Sequence, residues 1–404
     1  MCSAPAEGGE TPLLARLREC IRRDGPMPVD RYMRICQSDP DAGYWQRADS
    51  IGAGGDFITA PEISQVFGEL IGLWCAVVWR SMGRPASLRL IELGPGRGTL
   101  MRDALRAGGA VPGFLDATTV HLIEASAPLR ELQQQAFPPP LWGRDREGGI
   151  AEHLRSGFPP PLSPPHVVSK TRLRHDGEGK RPPIFWHGSI DHVPDGPAIV
   201  VANEFLDALP VRQLVFVDGI WRERVVETDA QGALRFATGP LLDLEVEAQG
   251  AHPAPGAILE LRAGEDEVLA QLARRPAPHV ALFIDYGPAE ATYGDTLQAV
   301  HRHAWVDPLS LPGCADVTAH VRFASLARKA RAAGLAADGP ITQAEFLGRL
   351  GIAERAARLM AANPGRAGEI ETGVERLLSP TGMGELFKAM AVRSTTLPPP
   401  PPFV

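Results

Sequence analysis

Residues 88–106 read LRLIELGPGRGTLMRDALR, and this stretch decides the fold class. An apolar run from Leu88 to Leu93 has the length and branching of a buried strand, and Thr99 to Arg106 carries apolar residues at helical spacing. Between them Gly94, Gly96 and Gly98 alternate with Pro95 and Arg97. Glycines at alternate positions remove side chains where a ligand approaches the backbone, and the helix that follows presents unpaired N–H groups. A dinucleotide fingerprint needs its third glycine at position 99, which is Thr, and has no use for an acid at Glu92. A phosphate loop needs G-K-[ST], and no Lys is present. Both phosphate readings are therefore weakened.

Outward from this turn, TVHLIEA, AIVVANEF and VALFIDYG repeat the pattern of short apolar runs separated by helical segments. Runs buried on both faces and alternating with helices predict an α/β domain with a parallel sheet covered on both sides. Residues 1–85 are expected to form an N-terminal helical region interrupted by the Gly-rich SIGAGGDFITAPE. There Thr59 and Glu62 make a capping-box pattern, with Pro61 in the first turn, which predicts one long helix starting at that point. The α/β domain is placed at 86–316. Within it, 137–183 are dense in Pro, Gly and charge, and the second half is expected to be a mobile surface insertion. Residues 317–392 are expected to be a helical subdomain returning to the sheet, and 393–404, with Pro398 to Pro402, an extended Pro-rich tail.

Composition narrows the function classes. Lys and Arg total 41 against 48 Asp and Glu, a net charge of −7, and no basic stripe recurs, so nucleic acid is not an expected partner. The cysteines (Cys2, Cys20, Cys36, Cys75, Cys314) show no C-x-x-C spacing, which predicts reduced thiols and neither disulfide nor structural zinc. The N-terminus has no secretory or transit pattern, and FGELIGLWCAVVW, the longest apolar window, carries Glu69 and two glycines. The expectation is a cytoplasmic protein without membrane insertion, mitochondrial only for a eukaryotic source. His301 and His303 have no Cys or clustered acid beside them, so no metal is expected.

The spacing E-x-G-x-G-x-G, with Glu124 ending the next apolar run, resembles the first motifs of class I S-adenosylmethionine-dependent methyltransferases. Longer blocks are more specific: DPDAGYW, GGDFITAPEISQVFGEL, ANEFLDALPVRQLV, DYG, GDTLQAVHRH, ADVTAHVRF and MGELFK. In wording and order they resemble the MidA-like family of that superfamily. The resemblance implies a Rossmann-like sheet, S-adenosyl-L-methionine as cofactor, and a protein arginine methyltransferase. The implied reaction is symmetric dimethylation of one subunit of NADH:ubiquinone oxidoreductase (respiratory complex I) during its assembly. It further implies that the turn at Glu92, Gly94, Gly96, Gly98 and Thr99 wraps the methionyl part of the cofactor, that Glu124 holds the ribose hydroxyls, and that Asp56, Thr59 and Glu62 form a lid. Relatives that read WHDS carry an acid suited to the adenine amino group; here the stretch is WHGS, with Gly188 in that place.

Methyl transfer needs an in-line nucleophile at close approach, and a planar guanidinium is well gripped by a carboxylate fork. Asn203, Glu204 and Asp207 follow an all-apolar run and so are expected at the carboxyl edge of the sheet, as the catalytic cluster. Asp285 and Tyr286 follow the next run at the same edge; with His303 they are the substrate-side candidates. The bland alternative makes Asn203, Glu204 and Asp207 a helix cap and its first turn. Competing functions are a small-molecule methyltransferase, an assembly factor that holds the cofactor without transferring a methyl, and, last, a dinucleotide oxidoreductase. A homodimer is a further expectation.

Overall fold

The four apolar runs are neighbouring parallel strands, and they are buried on both faces because helices cover both sides of the sheet they build. The structure, a computed structural model, describes residues 11–46, 58–137, 182–241, 252–290 and 292–403. Seven strands make the main sheet: β1 (Leu88–Leu93), β2 (Thr118–Ile123), β3 (Ile184–His187), β4 (Ala198–Asn203), β5 (His279–Tyr286), β6 (Ala336–Thr342) and β7 (Phe387–Arg393). Their spatial order is β6-β7-β5-β4-β1-β2-β3. β3 through β5 are parallel, and β7 runs antiparallel between β5 and β6. The chain reverses its direction of winding between β1 and β4, the place where open α/β sheets leave a crevice at their carboxyl edge.

On one face Leu90, Val120, Ile199 and Leu282 pack under the helices Gln65–Ser81 and Thr99–Gly108. On the other, Ile91, Val200, Ala281 and Phe283 pack under Ala263–Ala273 and Phe323–Ala332. The first two helices cross with backbones in contact: a Cβ at Gly72 would lie 2.2 Å from the Ala104 carbonyl oxygen, and one at Gly68 would lie 2.8 Å from Asp103 Cβ.

Several expectations are corrected. The long helix begins at Gln65, not at Thr59, because Ser64 is extended and its hydroxyl accepts from Val66 N–H. Thr59 instead precedes a separate single turn, Ala60–Ile63, and makes no side-chain cap bond. The N-terminal region also contributes a short strand, Met27–Pro28, to a second, antiparallel sheet with Arg212–Val217, Ile220–Thr228, Leu234–Leu241 and Ile258–Leu261. Residues 317–392 supply two strands of the main sheet as well as helices. The Pro-rich segment is docked: Trp74 Nε1 donates to the Pro401 carbonyl at 2.5 Å, Arg349 donates to that of Pro402 at 2.7 Å, and the Phe403 ring lies against Phe346. An extended tail has no such partners; here the apolar flanks of Trp74 and Phe346 give the prolines a surface to cover. Most of the expected mobile insertion lies outside the described residues.

Candidate functional site

A cavity of about 540 Å³ opens at the carboxyl edge, where the ends of β1, β2 and β4 meet the N-terminal region. Of the residues singled out in the sequence, Glu92, Gly94, Gly96, Thr99, Glu124, Thr59, Glu62, Asn203 and Glu204 line it. The glycines have φ of +61° (Gly94), +52° (Gly96) and +79° (Gly98), the left-handed region that only glycine enters without strain. The turn is stitched by Gly94 N–H to the Ile123 carbonyl and Gly98 N–H to the Pro95 carbonyl. Gly98 is not a lining residue; it starts the helix and backs onto Phe137.

Glu92, at the end of β1, is 3% exposed, and its Oε2 has no partner among the described residues. Burial, reinforced by the charge of Glu124, pushes its carboxyl up to about 8. Glu124 is held more completely: Oε1 accepts from Ser126 N–H at 2.8 Å and Oε2 from Gln133 Nε2 at 3.1 Å. Burial raises its pKa too. Each oxygen keeps spare acceptor capacity, so the pair can serve two adjacent hydroxyls. Thr99 donates to Glu62 Oε1, which ties the turn Ala60–Ile63 to the glycine turn and takes Glu62 away from the capping role its spacing suggests.

Glu204 follows β4 at φ +49°, an uncommon conformation for a non-glycine residue. Its Oε1 accepts from Ala60 N–H at 2.9 Å and from Asn203 Nδ2 at 3.1 Å, and the residue lines the cavity. Burial pushes this carboxyl up to about 7. The strain is held by Asp285, whose Oδ2 accepts from the backbone N–H groups of Phe205 (3.2 Å), Leu206 (2.9 Å) and Asp207 (3.2 Å), while Oδ1 accepts from Tyr286 N–H.

That arrangement separates the expected fork. Asp207 and Asp285 do not line the cavity. Asp285 is occupied by the backbone, and Asp207 sits behind the turn near Arg262 and the Tyr286 hydroxyl, with burial pushing it up to about 6. Tyr286 also lies behind: its hydroxyl donates to Thr318 Oγ1 at 2.7 Å and its ring packs between Phe387 and His320. His303 is exposed, outside the cavity; with Arg302 it forms the two-residue turn, both at positive φ, of the hairpin Gln298–Val306. Asp56 lies outside the described residues.

Three lining or supporting residues are not singled out individually in the sequence, although Trp45 closes the DPDAGYW block. The Gln133 amide donates both to Glu124 and to the Gly96 carbonyl, at 2.8 Å for the latter, and accepts from Trp186 Nε1. Gln37 and Trp45 bring the N-terminal region onto the cavity, and Ser126 donates to the Trp45 carbonyl. Among the described residues no group of three His, Cys, Asp or Glu converges as a metal site. Four carboxyl groups (Glu62, Glu92, Glu124, Glu204) and two guanidiniums, Arg34 and Arg97, line the cavity.

Comparison with known proteins gives a concordant result. Residues 70–341 match the model of an S-adenosyl-L-methionine-dependent methyltransferase family. The chain is similar to the mitochondrial protein arginine methyltransferase NDUFAF7 of Danio rerio, at 36% identity over 95% of this chain and 87% of that protein. It is similar to the Homo sapiens protein of the same name at 34%, covering 96% and 85%. A crystal structure of a methyl transferase from Burkholderia thailandensis bound to S-adenosyl-homocysteine superposes with a TM-score of 0.72 at 26% identity, covering 96% of this chain and 92% of that one.

Proposed function

The chain belongs to this family of S-adenosyl-L-methionine-dependent methyltransferases, and from that premise we propose that it methylates arginine side chains of a protein. The observation that carries the reading is Glu204: a half-buried carboxylate on a strained strand end, lining the same cavity as the glycine turn, with Oε1 engaged by the backbone of Ala60.

The residues present fit the cofactor. Glycines at positive φ leave room for a ligand against the backbone, Glu124 has acceptor capacity for two ribose hydroxyls, and the partnerless Glu92 Oε2 suits a cationic amino group. When bound, S-adenosylmethionine supplies an electrophilic methyl on a sulfonium. Glu204 grips the guanidinium through Oε2 and aims one nitrogen along the line of transfer. The nitrogen that gains the methyl loses a proton, and a carboxyl poised near 7 at Glu204 is suited to take it.

Support for arginine comes from the relatives, which are protein arginine methyltransferases, and from Glu204, a carboxyl in the cavity suited to a guanidinium. The finer reading makes the acceptor a subunit of respiratory complex I and the compartment a bacterial cytoplasm; among the described residues no helix is long and apolar enough to cross a membrane. The test is incubation with methyl-labelled S-adenosylmethionine and an extract from a strain lacking the protein. Label is expected in methylarginine of one complex I subunit. Label on a lipid or small molecule, with none in protein, would overturn the reading.

A further inference from the structure

Gln37 is the penultimate residue of the helix Val29–Ser38, which borders the cavity through Arg34, Gln37 and Ser38. It is 3% exposed, yet it is polar and sits among apolar neighbours. Its Nε2 donates to the carbonyls of Ala208 at 2.7 Å and Val317 at 2.8 Å. A side-chain amide has two N–H hydrogens and one carbonyl oxygen, so both donors are spent on backbone and the orientation of the group is fixed. No described residue donates a hydrogen bond to the oxygen, and Gln37 lines the cavity. Ala208 also lines the cavity, four residues after Glu204 in the same turn, so the backbone that Gln37 bonds belongs to the turn that begins at Glu204.

We infer that Gln37 is a substrate-binding residue whose Oε1 accepts an N–H of the methyl-accepting group, holding the guanidinium from a second side while Glu204 grips the first. This rests on the arginine reading above. A guanidinium carries five N–H donors in one plane, and one carboxylate oxygen leaves several of them unserved in a desolvated cavity. A neutral acceptor locked by two backbone carbonyls supplies a second bond without adding charge, and it favours a planar group with donors on two edges over an ammonium or a hydroxyl.

The experiment separates the acceptor role of Gln37 from its role as a donor to two carbonyls. Gln37→Met removes both; Gln37→Glu keeps acceptor oxygens and gives up the donors. Methyl transfer is measured for parent and variants at limiting and saturating protein acceptor, in extract of the strain lacking the protein, with S-adenosyl-homocysteine affinity and thermal midpoint alongside, and the labelled amino acid is identified after hydrolysis. Expected are a rise of roughly tenfold in the acceptor KM for Gln37→Met, recovery toward the parent value in Gln37→Glu despite a lower midpoint, and unchanged cofactor affinity in both. If Gln37→Glu is no better than Gln37→Met, or neither variant moves KM, the residue only pins the turn and the inference is overturned while methylarginine label leaves the arginine reading intact. Label on another amino acid with the same order of variants overturns the arginine reading and keeps Gln37 as an acceptor. Absence of any transfer by the parent overturns both.

Discussion

Glu204 Oε1 accepts the backbone N–H of Ala60 at 2.9 Å, across 144 residues of chain. One carboxylate therefore joins the strand end at the centre of the sheet to the turn that closes the cavity from the N-terminal side. One of its two oxygens is given to structure, while the residue lines the cavity.

Glu204→Gln is expected to lower kcat/KM for the protein acceptor by at least roughly thirtyfold, as expected for about 2 kcal/mol or more lost from a desolvated charge pair. S-adenosyl-homocysteine affinity should change much less. With its carboxyl near 7, the parent should gain activity as pH rises through that value, whereas Glu204→Gln should show no such limb. Rate profiles from about pH 6 to about pH 8.5 check this; an unchanged profile in the variant would assign the limb to another group.

Asp207→Asn should behave differently, because Asp207 lies behind the turn and not in the cavity. Its loss is expected in the thermal midpoint, with acceptor KM close to the parent's. A collapse of kcat at full stability would return Asp207 to the reacting groups.

Gly96→Val is expected to weaken S-adenosyl-homocysteine binding strongly in calorimetry. The residue sits at φ +52° on the cavity wall, where a branched side chain is both strained and in the space the ligand backbone needs. Binding as tight as the parent's would remove the glycine turn from the cofactor site.

Stability should fall as pH rises from about 5 to about 8.5. Burial pushes Asp207 up to about 6, Glu204 to about 7 and Glu92 to about 8, each above its unfolded value. A carboxyl with a raised folded pKa contributes stability that is fully present below the unfolded pKa and is lost as pH climbs through the folded one. Thermal midpoints across that range, for the parent and for Glu92→Gln, measure the effect. The variant should show a shallower decline, and a parallel one would mean that Glu92 does not titrate there.

Much of this site was legible before any coordinates because its parts are local. The glycine turn, Glu92 and Thr99 lie within eight residues, Glu124 follows directly on an apolar run, and Glu204 follows another with only Asn203 between. What escaped depends on long-range backbone partners. Gln37 is defined by carbonyls 171 and 280 residues away, and the role of Asp285, which the sequence places on the substrate side, by amides about 80 residues upstream, so neither spacing nor residue type announces what these two side chains hold. The same holds for β7, whose apolar FKAMAVR is read as strand only once β5 and β6 flank it. The Thr59–Glu62 pattern misled because Glu62 found a tertiary hydroxyl in place of its own helix end.

The glycine-mediated contact between Gln65–Ser81 and Thr99–Gly108 also fixes how this protein can move. With Gly72 against the Ala104 backbone, the long helix and the helix after the cofactor turn form one rigid body and cannot slide apart without losing close packing. Ala60–Ile63, which bonds Glu204 and Thr99, joins that pair through the single extended residue Ser64, so the turn that closes the cavity hangs directly on the packed helices.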